Sequence, residues 1–146
     1  MLSFPEAGGM AEEVRLLFEE LERQHDAAMR GHGGVYAPPM DVLERQERVE
    51  IVMDLAGVEP ENIRILFKDG SLVVVGCKWP SSNPPSGTTA FHLVERGFGR
   101  FARAVRIAAA LDFSDCRATL RQGELRLVIP KLNGGRELRI PVEKAV

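Results

Sequence analysis

Few residues of this chain are arranged so that they could do chemistry, and each arrangement fails on its surroundings. Gly97-Phe98-Gly99-Arg100-Phe101-Ala102 matches G-x-G-x-x-A, the pattern with which a strand-to-helix turn cradles a dinucleotide pyrophosphate. That chemistry needs a helix N-terminus behind the glycines, and an acid about 20 residues on at the end of a second strand. Here the following residues alternate as a strand, and no acid closes a βαβ unit. No G-x-x-x-x-G-K-[ST] stretch occurs, so ATP hydrolysis has no motif behind it. His25, His32 and His92 are too scattered for a metal site. Cys77 and Cys116 have neither metal-like spacing nor the flanks of a catalytic thiol. The scattered Ser, Asp and His residues identify no triad. The expectation is no catalytic residue, no metal, no cofactor and no enzyme.

Arg96, Arg100, Arg103 and Arg106 interleave with Phe98 and Phe101, as a single-stranded nucleic-acid surface would. The charge balance opposes that reading, because 21 acids face 19 bases for a net charge of -2. Ion pairs across a sheet or between subunits fit better, with neither nucleic acid nor membrane as partner. No apolar run reaches the 18 residues that would span a bilayer, and acids stand where a signal peptide needs a basic start. Two cysteines are too few for a disulfide framework, which leaves a reducing cytoplasm as the expected home.

The elements that must position these residues read as strands. The 146 residues suffice for one domain with tails. Val49, Ile51, Met53 and Leu55 alternate with Glu50, Val52 and Asp54 before Gly57 and Pro60 break the run. Ile63, Ile65 and Phe67 alternate with Arg64 and Leu66, and Asp69-Gly70 turns the chain into Leu72–Val75. Phe101, Arg103, Val105 and Ile107 form another strand, and Ala108-Ala109-Ala110 reads as a connection. Cys116, Ala118 and Leu120 share one parity, which puts Cys116 on a strand as a small buried hydrophobe. Gln122-Gly123 makes a second turn into Glu124–Ile129, which Pro130 stops by removing a donor. Short strands at regular spacing predict an all-β, immunoglobulin-like sandwich over residues 40–132.

Residues 1–39 read as an arm. Val14, Leu17, Phe18 and Leu21 follow i, i+3, i+4, i+7 spacing, which predicts an amphipathic helix over roughly residues 10–29. An isolated helix of that length is marginal in water, so the stripe needs a partner surface. Folding back on the same domain is one solution. Packing on other subunits or on unfolded chains is the favoured one, since Gly31, Gly33, Gly34, Pro38 and Pro39 suit a detached arm.

Four motifs occur in order with consistent spacing. They are Ala56-Gly57-Val58-Glu59-Pro60-Glu61-Asn62-Ile63, then Glu95-Arg96 through Arg103, then Gly123–Lys131, and finally Ile140-Pro141-Val142. Together they resemble the small heat-shock proteins of the α-crystallin family over about residues 40–142. The chain departs from that pattern in having Ile107-Ala108 where the family usually has Leu-Pro, and a proline inside the terminal triplet.

The resemblance implies an ATP-independent chaperone that builds homo-oligomers from dimers and binds non-native client proteins. It implies a C-terminal extension, 133–146, whose Ile140 and Val142 anchor in a neighbour's groove between Ile63, Ile65, Phe67 and Cys116, Ala118, Leu120. It further implies that Thr88, Thr89, Ala90, Phe91 and His92 cross to a partner's first strand near Met40–Leu43, while Arg103 meets an acid across the boundary. The stripe Val14, Leu17, Phe18 and Leu21 is the expected client-binding surface. A docking module of the CS-domain type shares the sandwich and is the competing reading, although it needs neither the arm nor the terminal triplet.

Overall fold

Two tight turns set the strand pairing. Asp69 and Gly70 have φ of 52° and 77°, and Gln122 and Gly123 have 52° and 75°. Paired positive φ values define two-residue hairpin loops whose twist matches that of the flanking strands. The computed structural model describes residues 11–23, 36–80, 87–132 and 140–145. Among them the chain forms helix α1 (Ala11–Arg23) and strands β1 (Met40–Glu44), β2 (Arg48–Asp54), β3 (Ile63–Lys68), β4 (Ser71–Lys78), β5 (Gly99–Arg106), β6 (Arg117–Arg121) and β7 (Glu124–Pro130). The turns lock Lys68 opposite Ser71 and Arg121 opposite Glu124.

The strands form two antiparallel sheets, ordered β1-β2-β7-β6 and β3-β4-β5. Each sheet contributes its alternate residues to the space between them. Val49, Ile51 and Met53 of β2 and Leu125, Leu127 and Ile129 of β7 meet Leu72 and Val74 of β4 and Phe101 of β5. All are buried, which accounts for the period-2 pattern of the sequence. The expected β-sandwich is therefore present, with its helix at the N-terminal side.

Gly76 shows how tightly the layers close. It lies opposite Phe101 in the β4–β5 register. A Cβ at this position would sit 2.3 Å from Phe101 Cζ and 2.5 Å from the Asn62 carbonyl oxygen. Only glycine lets the ring lie across the strand.

β4 differs from its neighbours in being buried at every residue from Leu72 to Lys78. Its even positions face the sandwich core. Its odd positions, Val73 and Val75, form a second cluster with Ala102 and Val14 on the outer face, with Leu17, Phe18 and Leu66 packed around it. α1 thus lies on its own domain.

Two details differ from the sequence reading: α1 packs on its own sheet where other subunits or unfolded chains are the favoured expectation, because the outer valines of β4 need a cover, and Cys116 lies off its strand. Cys116 lies just before β6, where it caps the short 3-10 turn Phe113–Asp115 by donating its amide to the Phe113 carbonyl at 3.3 Å. It is half-buried rather than a strand residue in the core, because the turn needs that position to leave the 3-10 geometry. Residues 10 and 24–29 of the expected helix lie outside the described residues.

Gly76→Ala should overpack the Phe101 contact by roughly 1–3 kcal/mol and lower the Tm by several degrees. Thermal circular dichroism checks this, and an unchanged Tm would mean the ring can move aside.

Candidate assembly and client-binding surfaces

The helix surface is the most fully built. α1 places Val14, 7% exposed, with Val73, Val75 and Ala102 on the outer face of the β3-β4-β5 sheet, and buries Leu21 completely. Its acids fall on the flanks, where they meet bases projecting from both edge strands. Glu13 pairs with Lys68 and Glu20 with Arg64 at 3.2 Å, both bases on β3. Glu22 pairs with Arg100 on β5, and the Arg100 guanidinium also lies 5.5 Å from the centre of the Phe18 ring. An apolar strip is therefore bordered on two sides by cations, and the helix fits it with an apolar stripe bordered by carboxylates.

The energetics of that fit are modest. Burying an aliphatic or aromatic side chain contributes about 1.5–3 kcal/mol before ordering costs. The flanking ion pairs are partly solvated, and water screens such pairs so that they add little. The Lys68 hydrogen bond holds the Glu13 carboxyl below its ordinary 4.5. Its contribution is present above that pH and is lost as pH falls through the lowered value, so neutral pH leaves the pair intact.

Cys77 sits at the edge of this interface. It shares the outer face of β4 with Val73 and Val75 and is 1% exposed. Burial pushes its thiol up to about 11, and the nearby Glu22 carboxylate adds to the shift. A thiol so held is almost wholly protonated and unreactive at neutral pH.

The two edges expected to form the anchor groove lie over one another. Phe67 of β3 stacks on Phe113, just ahead of β6, with ring centres 3.4 Å apart and planes at 18°. Ile63, Cys116 and Leu120 pack on the core. Ile65 and Phe67 face inward on β3 yet remain 38% and 40% exposed, as the open mouth between two stacked edges requires. Ala118 is exposed on β6. The structure thus brings the Phe67 end of β3 to the approach to β6, with Ile63, Cys116 and Leu120 on the core and Ile65 and Ala118 exposed. The terminal segment lies outside the sandwich, with Ile140 and Val142 83% and 96% exposed.

At the opposite edge, β1 is exposed along its length except for the half-buried Met40. Thr88–His92 forms no strand in either sheet of the chain, and Phe91 is exposed. Arg103 donates to the Pro38 carbonyl at 3.0 Å within its own chain, so one of its nitrogens is already engaged there. The same region holds a residue that sequence reading passed over. Lys78 is buried, and among the described residues no carboxylate pairs with it. Its ammonium lies 4.8 Å from the centre of the Tyr36 ring and 5.7 Å from that of Phe98. Burial pushes its pKa down, and Arg96 adds to the effect. The rim bases Arg64, Lys68 and Arg100 were also missed as a site. The signal was available in the unbroken apolar run of β4, which needs a cover on both faces.

Comparison with known proteins gives the class. The Hsp20/alpha crystallin family matches residues 41–143, and the chain belongs to that family. It is 27% identical over 106 residues to the 17.7 kDa class II heat shock protein of Arabidopsis thaliana, covering 73% of this chain and 68% of that one. It is 31% identical over 106 residues to the 18 kDa heat shock protein of Streptomyces albus, covering 73% of each. Among solved structures, heat shock protein 16.0 from Schizosaccharomyces pombe superposes with a TM-score of 0.64 at 26% identity, covering 75% of this chain and 99% of that one. A small heat-shock protein from Xylella fastidiosa, described as having a distinct high order structure, gives 0.62 at 27% identity, with 75% and 98% covered. Family membership supports a chaperone role, with self-association and client binding in general, and the family is not one of enzymes. No described helix is long and apolar enough to cross a membrane.

The docking of α1 can be read at Cys77. Leu21→Ala in a Cys116→Ala background should remove about 2–5 kcal/mol of packing and speed modification of Cys77 by a thiol reagent at least tenfold. Unchanged reactivity would mean that the helix does not cover that thiol.

Proposed function

We propose that the protein is an ATP-independent holdase of the cytoplasm, assembled from dimers, that binds partly unfolded proteins and limits their aggregation. The observation that carries this reading is the apolar stripe of α1, held on the sandwich only by its own packing and a border of solvated ion pairs. Such a stripe is covered at rest and released when heat loosens it, which is when clients expose apolar segments of their own. Val14, Leu17, Phe18 and Leu21 are the client-binding residues in this reading. Many weak sites on one assembly would then act collectively.

The assembly contacts follow the same logic. Ile140 and Val142 act as two knobs for a neighbour's groove, because Pro141 holds the segment extended and puts both side chains on one side. The groove is the mouth lined by Ile65 and Phe67, with Ile63, Cys116, Ala118 and Leu120 around it. Thr88–His92 adds to the partner's exposed β1 edge, which an unpaired row of backbone groups otherwise leaves open to aggregation. Arg103, at the same boundary, meets an acid of the partner with the nitrogens left free by Pro38.

Light scattering on two variants tests the assembly. Ile140→Ala with Val142→Ala should reduce the particle to dimers or small species, and deletion of residues 81–90 should yield monomers. A full-sized particle from either variant removes the contact it targets.

Suppression of a heated client's light scattering without ATP tests the activity. Leu17→Asp with Phe18→Asp should lower protection to less than half that of the parent, while circular dichroism of the sandwich persists. Equal protection would make the arm structural and move client binding to the groove vacated by Ile140 and Val142.

A further inference from the structure

The face beneath α1 has the chemistry of a receptor. Its floor is Val73 and Val75 on β4 with Leu66 and Ala102 beside them. Its border is Arg64 and Lys68 along β3 and Arg100 on β5, all three directed to the same outer side by the strand registers. The helix that occupies it meets each base with a different carboxylate, from Glu13, Glu20 and Glu22. The complementarity therefore has two parts, an apolar stripe of i, i+3, i+4, i+7 spacing and acids flanking it. Neither part requires the particular sequence of α1.

We propose that this sheet face is a second client-binding surface, selective for acidic amphipathic segments of non-native proteins, and that α1 occupies it as a built-in mimic of such a segment. This deepens the holdase reading and rests on it. Undocking then has two products at once: the stripe, which takes apolar segments of any charge, and the basic-bordered face, which takes segments that present carboxylates beside an apolar stripe. A client segment must displace α1, which is tethered and so holds an advantage of effective concentration. Clients therefore win the face only when the helix is loosened or when they are numerous.

The test uses the full chain carrying Val14→Asp and Leu21→Asp, which put carboxylates at two buried stripe positions and vacate the face without altering any residue of it. Cys116→Ala leaves Cys77 as the reporter, and its faster modification verifies that the face is bared. The probe is a fluorescent peptide of unrelated sequence with four apolar residues at the stripe spacing and glutamates on both flanks, followed by anisotropy. It should bind the vacated chain and slow modification of Cys77, which places it on this face. Adding Arg64→Glu, Lys68→Glu and Arg100→Glu should weaken binding about tenfold at low salt, and a lysine-flanked peptide should show the opposite preference.

Four outcomes would overturn the proposal. Three are no binding to the vacated chain, binding that leaves Cys77 reactivity unchanged, and binding indifferent to the three border charges. A fourth is that only a peptide of residues 11–23 binds while the unrelated one does not, which would make the face a seat for the helix of a second copy. The readout is equilibrium binding, so it stands or falls separately from suppression of aggregation. A chain that binds the peptide yet protects no client would refute the holdase reading and leave the receptor in place.

Discussion

The burial of β4 on both faces is the constraint from which the rest of the structure follows. A strand of a two-layer sandwich normally hides one face and leaves the other partly open, and β7 does so in the alternation of its residues. β4 has no wet face between Leu72 and Lys78. Its inner residues are covered by the other sheet, and its outer valines would be left as an apolar strip without α1. The helix therefore completes the domain and cannot be treated only as an appendage. Because it completes the domain by covering a strip with a stripe, the same contact conceals two apolar surfaces, and neither can be exposed alone.

The borders of this contact are set by strand geometry. On β3 the outward parity carries Arg64, Leu66 and Lys68, and on β5 it carries Arg100 and Ala102. The apolar member of each set lies toward the valines, while the bases reach outward to the helix flanks. Inward parity on the same strands carries Ile65, Phe67 and Arg103. One pair of strands thus serves the helix with one face and the assembly edges with the other. A single-residue slip of the β3–β4 register would exchange the two sets, which gives the Asp69-Gly70 turn a functional weight beyond stability.

What could be read from sequence divides along the range of the interactions. The turns at Asp69-Gly70 and Gln122-Gly123 and the alternating rows of β2, β3 and β7 are local signals, and the structure contains them where they were expected. Of the two edges expected to border the groove, Phe67 on β3 meets Phe113 just ahead of β6, a contact made by a residue outside the expected six. The position of α1 was not decided by its own residues. An amphipathic stripe says that a partner surface exists and not where, and here the surface is the chain's own sheet rather than a neighbour. Cys116 was misplaced because parity alone cannot show where a strand begins, and the 3-10 turn at Phe113–Asp115 delays β6 by one residue. Lys78 illustrates a third kind of limit. Its environment is made by Tyr36 and Phe98, residues whose types announce nothing about a nearby cation.

A chaperone of this design needs a covering contact weaker than the fold it covers. The sandwich is closed by rows of fully buried side chains and by the Gly76–Phe101 contact, features that put a region at the stable end of local opening. The docking of α1 rests on Val14, Leu17 and Phe18 packed on the outer face of β4 and on a border of solvated ion pairs. The helix should therefore leave at temperatures where the sandwich persists. Were its border desolvated, the two events would merge and the stripe would be exposed only by a chain that had itself unfolded. The modest strength of the contact is thus what allows the protein to expose apolar surface while remaining folded.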